Sequence, residues 1–269
     1  MEKEVIKYSV VIPMYNNQDT IERAILSVIN QTRYDLIDEI IVVNDGSTDN
    51  SKETVEKLIS STIGNKIKLI NQKNMGAAVA RNTGINKTKN SFIALLDSDD
   101  EWKKDKLEIQ NNIFINNSKI RALGCNRNEE NIHIGKKIDN KLYKISPFLY
   151  CIKNWPQTST IIFDKTIFEN NEFFPTDMTH AEEGLFFLTL SKFSGLYYTS
   201  KNLVICDGGK PVFGYSGLSA NLKKMHKGVL DMMKRANKKN YISKIQLIFL
   251  CFYENFKYLR RILITKLKV

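Results

Sequence analysis

The acidic residues Asp97, Asp99 and Asp45 hold most of the chemical content of this chain. Asp97-Ser98-Asp99-Asp100 follows the apolar run Phe92 to Leu96, and Asn44-Asp45-Gly46-Ser47-Thr48-Asp49 follows Glu39 to Val43. Clustered carboxylates repel a phosphorylated ligand unless a divalent cation lies between them. Magnesium and manganese prefer oxygen ligands and bind through one or two carboxylates plus substrate phosphates. Alternate residues at a strand end point the same way. Asp99 is therefore the candidate to hold a metal against a diphosphate, and Asp97 to orient a ribose or sugar hydroxyl. Asp45 is placed to accept a hydrogen bond from a nucleobase N–H. Tyr15, in Pro13-Met14-Tyr15-Asn16 after the first apolar run, is placed to line the base pocket. An isolated Asp-x-Asp or Asp-Gly-Ser is more often a solvated turn or a helix cap. Their joint placement at two strand ends is what points to a ligand.

The elements that position these residues are legible over the first hundred positions. The runs Ser9 to Ile12, Glu39 to Val43, Ile67 to Ile70 and Phe92 to Leu96 alternate with helix-length segments, which predicts a mostly parallel sheet covered by helices. In such sheets ligands collect beyond the carboxyl ends of the strands, where the acidic clusters lie. Thr20 is expected to cap a helix that buries Ile21, Ala24, Ile25 and Val28. A second helix is expected from Ser47 or Thr48, burying Val55, Leu58 and Ile59, and a third after Gly76. Past Trp102 the pattern loosens. Strands are expected near Ala122 to Cys125 and Ser159 to Phe163, and a helix from Glu182 to Phe193. The expected organisation is a catalytic domain over 1–217, divided softly at 104, followed by a basic helical region over 218–269.

Composition bounds the rest. A chain of 269 residues with 42% hydrophobic content can bury one sizeable core or a core with a smaller lobe. Glu2, Lys3 and Glu4 precede any apolar stretch, the wrong order for a secretory signal. The most apolar run, Ile245 to Tyr253, falls short of the ~20 residues that span a bilayer. Cys125, Cys151, Cys206 and Cys251 have no metal or redox spacing and are expected to be reduced thiols. A net charge of +11 is compatible with nucleic acid, an anionic membrane face or phosphorylated substrates. No nucleic-acid module accompanies it. A glycine-rich nucleotidyltransferase loop and a G-x-G-x-x-G turn are both missing after the first strand.

Four segments together resemble the family 2 glycosyltransferases. They are Val10-Val11-Ile12-Pro13-Met14-Tyr15-Asn16, Ile41 to Asp49, Asn74-Met75-Gly76-Ala77-Ala78-Val79-Ala80-Arg81-Asn82-Thr83-Gly84, and Leu95 to Asp100. The resemblance is strong over about residues 8 to 105. It implies a GT-A fold, a nucleotide-sugar donor, Mn2+ or Mg2+, and inverting transfer to an acceptor hydroxyl. It also implies a donor site of Pro13, Tyr15, Asp45, Gly46, Gly76, Arg81, Asp97 and Ser98, with Asp99 on the metal. The general base of this family is the Asp of a Glu-Asp pair opening a helix. Here the matching text is Glu182-Glu183, so Glu183 stands in the base position; the alternatives are Glu182 as the base, or both as simple first-turn residues favoured by the helix dipole. For Arg81 the other expectation is a structural ion pair. For Trp155 a stacking surface for an acceptor sugar stands against a core or rim position.

From Tyr241 onward, Ile242, Ile245, Phe249, Phe252, Phe256, Leu259, Leu263 and Leu267 recur at helical spacing among basic residues. Two expectations follow: the stripe lies on an anionic membrane surface, or it packs on the catalytic domain. The first suits an acceptor carried on a polyprenyl diphosphate and a peripheral enzyme on the cytoplasmic face of the plasma membrane. The resemblance implies a reaction that adds a hexose or N-acetylhexosamine, from a UDP-sugar, to a surface glycan. The alternative is an inactive fold serving a glycan-synthesis complex as a binding or assembly subunit.

Overall fold

The computed structural model describes residues 5–139, 141–169, 172–206, 208 and 221–267, with side chains through 265. The expectations placed on Glu2 to Glu4, on the boundary at 217/218 and on the side chain of Leu267 lie outside the described residues. The first half alternates as expected: β1 (Tyr8–Met14), α1 (Ile21–Ile29), β2 (Ile37–Asn44), α2 (Ser51–Ser60), β3 (Ile67–Asn71), α3 (Ala77–Asn86) and β4 (Phe92–Leu95). Helical crossovers return the chain to the same end of the sheet, so β1 pairs in parallel with both β2 and β4, and β2 with β3. Period-two alternation sends Val10 and Ile12 into one core and Val11 into the other. The first core lies under α1 and α2, where Ile21, Ala24, Ile25 and Val28 are all buried.

Beyond β4 the sheet is mixed rather than parallel. The remaining elements are β5 (Glu101–Trp102), α4 (Lys106–Asn116), β6 (Ala122–Arg127), β7 (Lys136–Asp139), β8 (Leu142–Ile145), α5 (Pro147–Lys153), β9 (Ile162–Asp164), α6 (Glu182–Phe193), β10 (Leu196–Ile205), α7 (Leu222–Lys238) and α8 (Lys244–Leu267). Among the described residues one sheet runs in the order β3-β2-β1-β4-β9-β6-β10-β8-β7, with β5 on β10. β9 is antiparallel to both neighbours, pairing Phe163 with Ile93 of β4 and with Ala122 of β6. The sheet therefore passes without a break across the soft division at 104.

Two boundaries move for identifiable reasons. α2 begins at Ser51 rather than near Ser47, because Asn44 Oδ1 accepts from the Ser47 N–H and Asp49 Oδ1 from the Ser51 N–H, which holds the intervening residues in a turn. The strand expected from Ser159 starts at Ile162, because Thr158–Thr160 is a 3-10 turn.

α7 buries Val229, Met232, Met233 and Ala236, and α6 approaches so closely that a Cβ on Gly184 would lie 2.0 Å from the Met232 sulfur. α8 packs on α5 and α7. The expectation that the apolar stripe packs on the domain is met at Ile242, which is buried just before α8, and is not met along α8 itself. Leu250 and Glu254 are buried, whereas Ile245, Ile248, Phe249, Phe252, Phe256, Leu259 and Leu263 are exposed. No helix among the described residues is long and apolar enough to cross a membrane.

α3 sits directly on β1 and β2 because Gly84 has no side chain: a Cβ there would lie 2.4 Å from Val11 Cγ1 and 3.1 Å from Val43 Cγ2. Both neighbours are stiff β-branched side chains. Gly84→Ala should therefore lower stability by about 1–2 kcal/mol despite its better helix propensity. Urea denaturation measures this; an unchanged or raised midpoint would refute the close packing.

Candidate active site

A cleft of about 440 Å³ opens at the carboxyl ends of β1, β2 and β4, against the N-terminus of α3. Pro13, Tyr15, Asp45, Gly76, Arg81, Asp97, Ser98 and Asp99 line it, together with Met14, Asn17, Asn74, Ala77 and Ala80. Of the donor and metal residues expected from sequence, Gly46 is the one outside this lining. Tyr15 is exposed.

Asp45 is buried and committed to its own wall. Its Oδ1 accepts from Gln72 Nε2 at 2.7 Å and from the Met75 N–H at 3.0 Å, and its Oδ2 accepts from the Gly76 N–H at 2.8 Å. The carboxylate thus ties the loop before α3 to the end of β2. It has four acceptor positions, so one remains on Oδ2. Gly46, at φ +75°, permits this clasp, since a Cβ would lie 2.8 Å from the Asn74 nitrogen. Gly76, at φ +91°, adopts the left-handed backbone that starts α3.

The Asp97-Ser98-Asp99-Asp100 loop, the candidate metal motif, is clamped from two sides. Ser98 Oγ donates to Asn17 Oδ1 at 2.8 Å. The Asp97 N–H donates to Ser159 Oγ at 2.9 Å, while the Ser159 hydroxyl donates to Asp100 and its carbonyl accepts from Trp102 Nε1 at 2.9 Å. Neither Asn17 nor Ser159 was recognised from sequence. The polar Asn16-Asn17 pair after Tyr15 was a usable signal; Ser159 had none, because its partners lie far away along the chain.

Arg81 joins this loop to α6. Its Nη2 lies 2.7 Å from Asp97 Oδ1 and its Nη1 lies 3.8 Å from Glu182 Oε1. The guanidinium is buried beside the Phe174 ring, 5.3 Å from its centroid. Burial opposes its charge, but Asp97, then Glu182 and Glu183, more than offset this and keep it protonated. The structural ion pair expected as the alternative role is therefore present.

Glu182 and Glu183 open α6 after Ala181, which has φ +59° and makes no side-chain cap. Both benefit from the positive helix end, but they face different surroundings. Glu182 turns to Arg81. Glu183 lines a separate chamber of about 20 Å³ with Tyr150, Asn154, Gln157 and Met232. Burial, and next the charge of Glu182, push the Glu183 carboxyl up to about 7.

Trp155 is a correction. It is 3% exposed within the core that contains Phe186 and Phe187, and the Arg127 guanidinium lies 5.7 Å from its ring centroid. A ring packed in this way is not a stacking surface for a sugar. Trp102 is also buried, with Lys106 Nζ 3.9 Å from its ring centroid.

Among the described residues no group of three or more His, Cys, Asp or Glu side chains forms a metal cage. Asp99 lines the cleft beside Asp97, whose Oδ1 is taken by Arg81. A single carboxylate of this kind fits a hard cation completed by ligand phosphates rather than one held by protein alone.

With this geometry in place, known proteins are informative. The model of glycosyl transferase family 2 matches residues 9–168. The chain belongs to this family. Glycosyltransferases from Rickettsia species match at 30–33% identity across 76–79% of this chain but 29–36% of their own length, so the chain spans about a third of the curated relatives it first matches. The putative teichuronic acid biosynthesis glycosyltransferase TuaG of Bacillus subtilis is 41% identical over 103 residues, which are 38% of this chain and 39% of TuaG. Among solved structures, S. aureus TarS 1-349 in complex with UDP-GlcNAc superposes with a TM-score of 0.66 at 18% identity, covering 91% of this chain and 70% of TarS 1-349. The mannosyltransferase PcManGT from Pyrobaculum calidifontis, in complex with GDP-Man and Mn2+, superposes with a TM-score of 0.65 at 18% identity, covering 92% and 68%. The fold is GT-A.

The charge of Glu182 raises the Glu183 pKa, so Glu182→Gln should lower the Glu183 titration midpoint from its value near 7. Carboxyl carbon chemical shifts followed against pH measure it; an unmoved or raised midpoint would show that the two carboxylates are not coupled.

Proposed function

We propose that this chain transfers a hexose or N-acetylhexosamine from a UDP-sugar, with inversion, to a hydroxyl of a lipid-linked glycan acceptor in surface-polysaccharide assembly. The observation that carries this reading is the gathering of Asp45, Arg81, Asp97, Ser98 and Asp99 around one cleft, with Arg81 connecting it to Glu182. The likeness to TuaG, a putative teichuronic acid biosynthesis glycosyltransferase, and to TarS in complex with UDP-GlcNAc supports a polysaccharide role and a UDP-sugar, and the Mn2+ complex of PcManGT supports a divalent ion.

In this reading Asp45 uses the remaining acceptor position on Oδ2 for a base N–H, and Tyr15 covers the base. Pro13, Gly46 and Gly76 shape the nucleotide wall, and Ser98 steadies the metal-motif loop. Asp97, oriented by Arg81, receives a ribose or sugar hydroxyl. Asp99, with the donor phosphates, would hold Mn2+ or Mg2+, which neutralises the charge gathering on the departing nucleoside diphosphate. Glu183 takes the proton of the acceptor hydroxyl as that oxygen bonds to the anomeric carbon. The bond from the anomeric carbon to the diphosphate breaks on the opposite face, and its electron pair leaves with the diphosphate. A carboxyl near 7 is well matched to this task at neutral pH. Residues 1–217 form the catalytic domain, with the nucleotide half over 1–104 and the acceptor half over 105–217. A lipid-linked acceptor makes the enzyme peripheral to the cytoplasmic face of the plasma membrane.

The second reading, an inactive binding or assembly subunit, is favoured by one observation: Glu183 lines its own 20 Å³ chamber and not the 440 Å³ cleft. Turnover of a nucleotide-sugar panel with Mn2+ separates the two. The transferase reading expects Asp99→Ala to lose about 10²-fold or more in turnover and Glu183→Gln about 10²–10⁴-fold with donor binding retained. The kcat profile should rise with pH through a midpoint near 7, because the base acts only when deprotonated. Full activity of Asp99→Ala would remove the metal role; a silent Glu183→Gln beside a dead Glu182→Gln would move the base to Glu182.

A further inference from the structure

The charge of this chain is confined to one end. Residues 221–269 contain thirteen of the 40 Lys and Arg and two of the 29 Asp and Glu, so they carry the whole net charge of +11 and residues 1–220 are neutral. In the helical pair α7 and α8 neither acid is left to offset that charge. Asp231 is bound by Arg235 Nε at 2.8 Å. Glu254 is fully buried, with Lys257 Nζ at 2.8 Å, Arg261 Nη1 at 3.2 Å and His226 Nδ1 at 3.7 Å. This buried hub, with Leu250 and the contact of Phe148 on Phe249, fixes which side of α8 faces the protein.

The opposite side is apolar and uncovered. Ile245 is 81% exposed, Ile248 72%, Phe252 76%, Phe256 62%, Leu259 60% and Leu263 61%. Their spacing of three and four residues makes one continuous stripe along a helix of 24 residues. Such a helix is about 36 Å long. Exposed Lys244 and Arg260 flank the stripe, and Lys223, Lys224, Lys227, Lys234, Lys238 and Lys239 are exposed on and just after α7.

We propose that α8 docks on an anionic lipid bilayer, lying in the interface with this stripe among the acyl chains while the basic residues of α7 and α8 meet the headgroups. Charge selects this occupant over a second copy of the chain. Pairing two stripes would bring like-charged flanks together with no exposed acid on α8 to answer them, whereas an anionic surface complements every flank. Apolar insertion and a basic cluster are the two signals that stable peripheral binding needs. The proposal deepens the lipid-linked acceptor reading, and rests on it for its purpose. Docking would hold the cleft at the surface from which such an acceptor projects.

The test is co-sedimentation of the full chain with phosphatidylcholine vesicles, with and without phosphatidylglycerol, for the wild type and for Phe252→Ser/Phe256→Ser/Leu259→Ser. These side chains are exposed, so the triple variant should fold and should turn over donor with a water-soluble acceptor as the wild type does. Expected is binding to the anionic vesicles that falls roughly tenfold or more without phosphatidylglycerol and by a similar factor in the triple variant. Equal sedimentation of variant and wild type, or no sedimentation of either, would overturn the proposal. So would a concentration-dependent dimer, seen by light scattering, that the triple variant abolishes. Vesicle binding without donor turnover would leave the docking intact and reject the transferase reading instead.

Discussion

Everything around the candidate site depends on one buried cation. Arg81 sits where the metal-motif loop, the start of α3 and the start of α6 converge, and it is flanked by Asp97 and Glu182 with Glu183 just beyond. Without that guanidinium three carboxylates would face one another in a poorly solvated region, and their repulsion would fall on the elements carrying them. The same ion links the half of the chain that resembles a nucleotide site to the half that supplies the proposed base. It also separates the two glutamates. Glu182, held beside Arg81, stays part of the charge network, while Glu183, out of its direct reach and beside Glu182, is the carboxyl whose proton is held to near neutral pH.

The cleft is built by carboxylates and amides that spend most of their capacity on the protein itself. Asp45 fastens the loop before α3, Asn17 fastens Ser98, and Ser159 fastens both Asp97 and Asp100. Such bonds fix loop backbones that would otherwise be free to move, so the side chains lining the cleft are oriented before any ligand arrives. Gly46 and Gly76 serve the same end by permitting close approach and a left-handed turn. A single polar side chain here is both wall and candidate ligand contact, and any substitution of Asp45 will disturb the two together.

At the other end of the chain the physical problem is reversed. α8 buries its one acid and Leu250 and leaves a stripe of aromatic and aliphatic residues to solvent, the surface on which the proposed lipid docking rests. The neutral 1–220 segment thus contains the cleft, and the strongly basic 221–269 segment contains the exposed stripe.

The sequence by itself determined the first four strands, their parallel pairing and the acidic residues at their ends, because local periodicity and strand-end position depend on neighbours a few residues away. It also named eight of the thirteen residues that line the cleft, and the start of α6. Tertiary structure alone decided the rest. The antiparallel insertion of β9, the clamping of the metal-motif loop by Ser159, the burial of Trp155 and the opposite environments of Glu182 and Glu183 all come from contacts made far along the chain. The exposure of the α8 stripe was open in sequence between packing and display, and only the buried Glu254 hub on its other face settled it. Periodicity says that a helix has two faces; which one is covered depends on what the fold brings against it.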